Sequence, residues 1–142
     1  MEVPRGTYPP GHPWWGNPTF EIKYDLASAQ RLMREAGFSA QRPLTVKILT
    51  SASGSGQMQP IVMNEWLQQA LKECFFNVEL EVGEWNQVFT NWREGAGSPG
   101  ARGANATNVT FAAMDPFFGM MRFVTRQANP PASNNWGFFN FD

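Results

Sequence analysis

Residues 24–85 switch three times between two hydrophobic periods, and the order of those switches restricts the fold more than any other feature of the chain. Asp25 is a good helix N-cap, Ala29, Leu32, Met33 and Ala36 follow at helical spacing, and Gly37 suits the C-terminal end, where a left-handed backbone costs a glycine nothing. Residues 44–49 alternate as a strand, with Val46 and Ile48 on one face and Thr45 and Lys47 on a wetter one. After a loop of small residues at 51–56, the span 58–74 reads as a long helix. It places Val62, Trp66 and Ala70 on one stripe and Met63, Leu67 and Leu71 beside it, which predicts a broad buried face. A second alternating strand, 77–82, sets Val78, Leu80 and Val82 against Glu79 and Glu81. It leads through Glu84 into a helix at 85–92 with Trp85, Val88, Phe89 and Trp92 on one side. Helix, strand, helix, strand implies a right-handed parallel crossover and an α/β fold with a small, mostly parallel sheet and flanking helices.

The rest of the chain is less regular. Residues 1–23 form a lead-in rich in proline, glycine and aromatic residues. The span 95–108 is mostly Gly, Ala, Ser and Asn and is expected to be a mobile loop. A third strand is expected at 108–113, broken by Asp115-Pro116, with a short helix at 117–124 and a tail of Pro, Asn and aromatic residues at 129–142.

Composition excludes several classes. With 42% hydrophobic and 16% charged residues in 142, the chain can build one domain with a real core and is not of the disordered type. A formal net charge of -1 gives no footing for nucleic acid or an anionic membrane. No apolar run reaches the roughly 18 residues of a membrane-spanning helix. The first five residues, Met1 to Arg5, lack the basic and apolar regions of a secretory leader, so the chain is expected to be either cytosolic or an excised piece of an exported protein. Cys74 is the single cysteine and His12 the single histidine, neither in a ligand-spaced pair, which argues against metal binding and Cys-His catalysis.

Few motifs carry chemistry. Ser53-Gly54-Ser55-Gly56 lies between a strand and a helix, where backbone amides can cradle a phosphate, but no Gly-Lys-Ser/Thr follows, and a plain connection is the better reading. Glu79, Glu81 and Glu84 read as a solvated face. Asp115 stands at a strand end, where α/β sheets gather ligands, and it is equally placed for a turn or cap. The sequons at Asn105 and Asn108 read as ordinary loop residues. Six Trp and twelve Phe are more large rings than one small core easily buries. They either line a cleft or missing interface, or fold back onto the body. If the strands are parallel, Trp85 and the bracket formed by Phe111, Met114 and Phe117 open on the same sheet edge, where a ligand crevice is expected. The competing reading packs Trp85 beneath its own helix against Val88 and Phe89.

A family resemblance joins these pieces. Tyr24-Asp25 with Ala29, Leu32 and Ala36-Gly37-Phe38 resembles the Tyr-Asp-Pro-x-x-Ala-x-x-Leu-Leu-x-x-Ala-Gly-Tyr segment of family 5 extracellular solute-binding proteins of ABC transporters, the oligopeptide-, dipeptide- and nickel-binding type. Leu44-Thr45-Val46 is similar to the family's next strand, and Asn77-Val78-Glu79-Leu80 to the strand after its long helix. Glu84-Trp85 with Trp92-Arg93-Glu94-Gly95 is similar to its Trp-containing helix. Asn134-Asn135-Trp136 with Asn140-Phe141-Asp142 resembles its Asn- and Tyr-rich closing segment. The resemblance implies a lobe of a periplasmic-binding-protein-like fold. Residues 24–142 would make most of the second ligand-binding lobe, incomplete at the C-terminus, with the first lobe missing. It implies the substrate-binding component of an importer, periplasmic or extracellular, which captures a small solute or peptide by hinge closure and delivers it to permease subunits. Such a protein is not an enzyme and has no catalytic residue, metal or cofactor. Gln59, Trp85 and Trp92 correspond to family positions that reach ligand. The family's ammonium-pairing Asp falls on Ala112 or Phe117, with Asp115 between them, so a sugar, a modified amino acid or a large apolar ligand suits the site at least as well as a peptide. The alternative reading is a small α/β enzyme or phosphate-binding domain using the 51–56 loop, from Ser51 to Gly56, and Asp115. A third, a flavodoxin-like regulatory module, needs an acidic pocket that Leu49-Thr50-Ser51 does not supply.

Overall fold

The computed structural model describes residues 8, 11–13, 15–16, 19, 23–110, 125–131 and 135–140. Along the chain run α1 (Leu26–Glu35), β1 (Leu44–Ser51), α2 (Pro60–Glu73), β2 (Phe76–Gly83), α3 (Trp85–Glu94), a 3-10 turn (Pro99–Ala101), β3 (Ala106–Thr107) and a second 3-10 turn (Arg126–Ala128). The strands form one parallel sheet in the order β2-β1-β3. β1 pairs with β2 along its whole length, from Leu44 opposite Phe76 to Ser51 opposite Gly83. The expected α/β architecture is therefore the observed one, with the predicted parallel crossover between β1 and β2.

Local chemistry explains the boundaries. The Asp25 carboxylate accepts the Ser28 backbone N–H at 2.9 Å and caps α1, and Gly37 leaves the helix at φ +87°. α1 buries no residue, and Leu32 is 55% exposed, so this helix is held at its edges. The Tyr24 hydroxyl donates to Glu73 Oε2 and Gln30 Nε2 to the Glu73 carbonyl, tying α1 to the end of α2. α2 closes without a glycine: Phe75 takes φ +66°, with the Arg34 guanidinium 5.1 Å above its ring. The Phe75 carbonyl then accepts the Leu44 N–H at 3.0 Å.

The buried face of α2 differs from the predicted one. Val62, Met63 and Trp66 are exposed, Trp66 by 72%, while Pro60 and Asn64 are buried. Two amides turn the helix. Asn64 Nδ2 donates to Thr50 Oγ1 at 3.0 Å, and Gln68 Nε2 donates to the Val78 carbonyl at 2.6 Å. Polar groups shut away from water must find partners, and here that requirement overrode the hydrophobic stripe.

The span 95–108 is also not the loop its composition suggested. Ser98 caps the first 3-10 turn, Ala101 and Ala104 are buried in the core, and β3 lies here, upstream of the expected third strand. Asn105 Oδ1 accepts the Lys47 N–H at 2.8 Å, Lys47 Nζ donates to the Arg102 carbonyl at 3.0 Å, and Arg102 pairs with Glu81. Small side chains serve close approach: a Cβ on Gly100 would sit 2.1 Å from Asn91 Oδ1. Of the strand expected at 108–113, residues 108–110 are outside the ladder and 111–113 lie outside the described residues, as does the helix expected at 117–124.

Neighbouring side chains of β1 point to opposite layers. Leu49 joins Val88, Trp92, Ala101, Ala104 and Trp136 in the core on the α3 side, and Thr50 meets Asn64 on the α2 side. Val88 is 0% exposed and Val62 57%. Val88→Ala should therefore cost about 2 kcal/mol of unfolding free energy, and Val62→Ala less than about 0.5 kcal/mol, in urea titrations. The Ser28 N–H holds the Asp25 carboxyl below the usual carboxylate range. Its capping contribution is then complete above the ordinary carboxylate pKa and is lost as pH falls through the lowered one. Asp25→Ala should lower the melting temperature at pH 7, and the gap to the parent should close as pH falls below the ordinary carboxylate range.

Candidate functional site

The carboxyl edge of the sheet gathers three segments: the 52–59 loop leaving β1, Glu84 and Trp85 leaving β2, and residues 108–110 leaving β3. A chain of side chains binds the first and third together. Ser55 Oγ donates to Gln57 Oε1 at 3.2 Å, and Gln57 Nε2 to Asn108 Oδ1 at 3.0 Å. Asn108 Nδ2 donates to Asn64 Oδ1 at 2.9 Å, and Asn64 Nδ2 to both Thr50 Oγ1 and the Pro60 carbonyl. The Thr110 N–H closes the ring on the Ser55 carbonyl at 3.0 Å. Every amide in the series donates in one direction and accepts from the other, which satisfies the buried Thr50, Ser55 and Asn64 side chains.

Trp85 rests on the same edge. A Cβ on Gly54 would lie 2.9 Å from Trp85 Cβ and Cγ, so the 52–59 loop passes directly under the indole, and its φ of +81° also favours glycine there. The Trp85 ring lies 5.5 Å from Phe89, is half-buried and packs against the core cluster. It therefore touches its own helix and borders the open edge at once.

The other predicted residues are dispersed. Gln59 is the exposed N-cap of α2 and makes no side-chain cap bond. Trp92 is 2% exposed and sits two turns along α3 from Trp85, about 10 Å by helical rise. Its ring reaches a different place, a cavity of about 690 Å³ along the outer edge of β3, shared with Thr107, Trp136 and Phe139. Phe111, Met114, Asp115 and Phe117 lie outside the described residues. The structure thus brings Gln59 and Trp85 to the carboxyl edge and places Trp92 beside the lateral cavity.

Asn64, Asn108 and Gln57 were missed in the sequence. Asn64 carried a signal: an asparagine between the apolar Ile61-Val62-Met63 and Trp66-Leu67, inside a helix, is a poor helix former and asks for a partner. Asn64→Ala should cost about 2–3 kcal/mol, because it strands Thr50 and Asn108. Gln57→Ala, at the outer end of the series, should cost less than about 1 kcal/mol. Urea unfolding of both variants checks the contrast.

The carboxyl edge of a parallel sheet is where open α/β folds gather their ligands. Residues 2–134 match the family model described as bacterial extracellular solute-binding proteins, family 5 Middle. A comparison with curated proteins finds no match. A match over nearly the whole length, on a parallel α/β sheet, shows that the chain belongs to the family 5 bacterial extracellular solute-binding proteins.

Proposed function

We propose that this chain is most of the second ligand-binding lobe of the solute-binding component of an ABC importer. It would take up one small solute between itself and a first lobe and deliver it to permease subunits. The family match carries the reading. The arrangement at the carboxyl edge supports it. Trp85 offers a half-buried indole at the mouth of a hydrogen-bonded loop pair, and Gln59, the exposed N-cap of α2, makes no side-chain cap bond.

The mechanism is differential binding to two states. A solute touching both lobes binds the closed form better and shifts the population toward it, and the membrane subunits recognise that form. The lobe's task is to present a surface already set in shape, so that little ordering cost falls on binding. The Ser55–Gln57–Asn108–Asn64 series does this by fixing the two loops relative to β1. Trp85 would stack on the solute and the segment following Thr110 would border it, which assigns Phe111, Met114, Asp115 and Phe117 to the same crevice. Export to the periplasm or cell exterior follows from the same role. No helix among the described residues is long and apolar enough to cross a membrane.

Thermal-shift screening of the protein carrying both lobes, against peptides, sugars and metal chelates, tests the reading. A cognate solute at about 100 times its Kd adds about 2.7 kcal/mol, a rise of roughly 5–10 °C. Trp85→Ala should remove most of that rise while leaving the unliganded melting temperature within a few degrees. A panel without any stabilising solute, or a Trp85→Ala protein that retains the full shift, would count against the assignment.

A further inference from the structure

Helix α2 is apolar on two sides. Leu67 and Leu71 share the helix face of Asn64 and Gln68, which is turned to the sheet, and both are half-buried. The opposite side carries Val62, Met63 and Trp66, at 57%, 46% and 72% exposure, and Met58, just ahead of the Gln59 cap, is 96% exposed. Ten large hydrophobic residues are exposed among the described residues, and these four fall within the span 58–66, so they form one patch rather than scattered singles. Exposure of that extent leaves on the order of 500 Å² of apolar side chain on one helix face. That is near the upper end for the largest patch of a monomer, and it makes up most of the roughly 800 Å² per partner of a stable specific interface. A helix apolar on both its inner and its outer side is one covered on both.

The spacing within the patch decides what covers it. Met58, Val62 and Trp66 are four residues apart, so the patch is symmetric about Val62. Two α2 helices laid antiparallel, with a two-fold axis at Val62, bring the two Val62 side chains together. Met58 and Trp66 stand about 6 Å to either side along the helix, so the indole of each copy meets the thioether of the other. An isologous contact requires this kind of self-complementary surface. Charge agrees with it. Glu65 is the one charged residue in the span 58–66, and it is exposed beside the stripe, three residues from Val62. The two copies of Glu65 fall on opposite sides of the axis at the wet rim, and the centre holds no charge to be desolvated.

We infer that the outer face of α2 is a self-association surface, on which a second copy of this chain docks antiparallel about a two-fold axis at Val62. The inference goes beyond the solute-binding reading and does not depend on it.

Sedimentation equilibrium of the 142-residue chain between about 5 and 300 µM tests it. A monomer–dimer equilibrium should appear with Kd on the order of 10–100 µM, the weak end expected of an interface this small. The chain is then monomeric at the few micromolar of an unfolding titration, where Val62 acts as an exposed residue. Trp66→Ala should weaken the dimer at least tenfold. Val62→Lys and Val62→Glu each set like charges across the axis and should each be monomeric at about 300 µM, whereas an equimolar mixture of the two should recover a dimer containing one of each. Both should keep the parent's melting temperature within about 2 °C at 5 µM, because an exposed substitution touches no packing. A parent chain that stays monomeric at about 300 µM overturns the proposal and leaves the stripe to a partner of another kind. A dimer that survives both Val62 substitutions, or a mixture that fails to associate, overturns it as well. None of these outcomes bears on the importer reading, which is tested by the two-lobe screen and Trp85→Ala.

Discussion

Asn64 sits fully buried between a strand and a loop, and three hydrogen bonds replace the water it has lost. Its carboxamide turns the Asn64 face of α2 to the sheet and is satisfied there, while Val62 and Trp66 lie on the exposed side. Through Asn108 it also determines where the chain goes on leaving β3. The crevice edge, the helix orientation and the outward turn of Trp66 are consequences of one polar group in an otherwise apolar run.

Much of the architecture was legible because period is a local property. The helix and strand spans between Asp25 and Glu94, their order and the parallel crossover all follow from spacing, capping and alternation within short windows. What could not be read was the choice among faces. The α2 stripe of Val62 and Trp66 was sound as a periodicity and wrong as a burial assignment, because Thr50 and Val78, which decide it, lie elsewhere in the chain. The 95–108 span failed for a related reason. Small residues look alike in a flexible linker and in a tightly packed turn. The Lys47–Asn105, Lys47–Arg102 and Glu81–Arg102 contacts that distinguish the two join residues at least 21 apart.

The site was legible in part. The family pattern marked Gln59 and Trp85, and both stand at the carboxyl edge. It also marked Trp92, whose identity as a Trp in the right helix says nothing about which end of that helix it occupies in space. Trp136 was noted only as one of a surplus of rings. Its burial against Leu49, Val88 and Trp92 is fastened by the Ala96 N–H on the Trp136 carbonyl, a contact between distant segments that no window of sequence displays.

Phe75 has a wider effect than closing a helix. Its left-handed turn delivers Phe76 opposite Leu44, the first rung of the β1–β2 ladder. Since successive strand residues face opposite layers, a slip of one rung would turn all of β2 over and send Val78 out of the α2 side. The turn therefore acts as a register pin for the sheet: a constraint at one corner decides, seven rungs away, that Ser51 and Gly83 end level and that the carboxyl ends of β1 and β2 are flush.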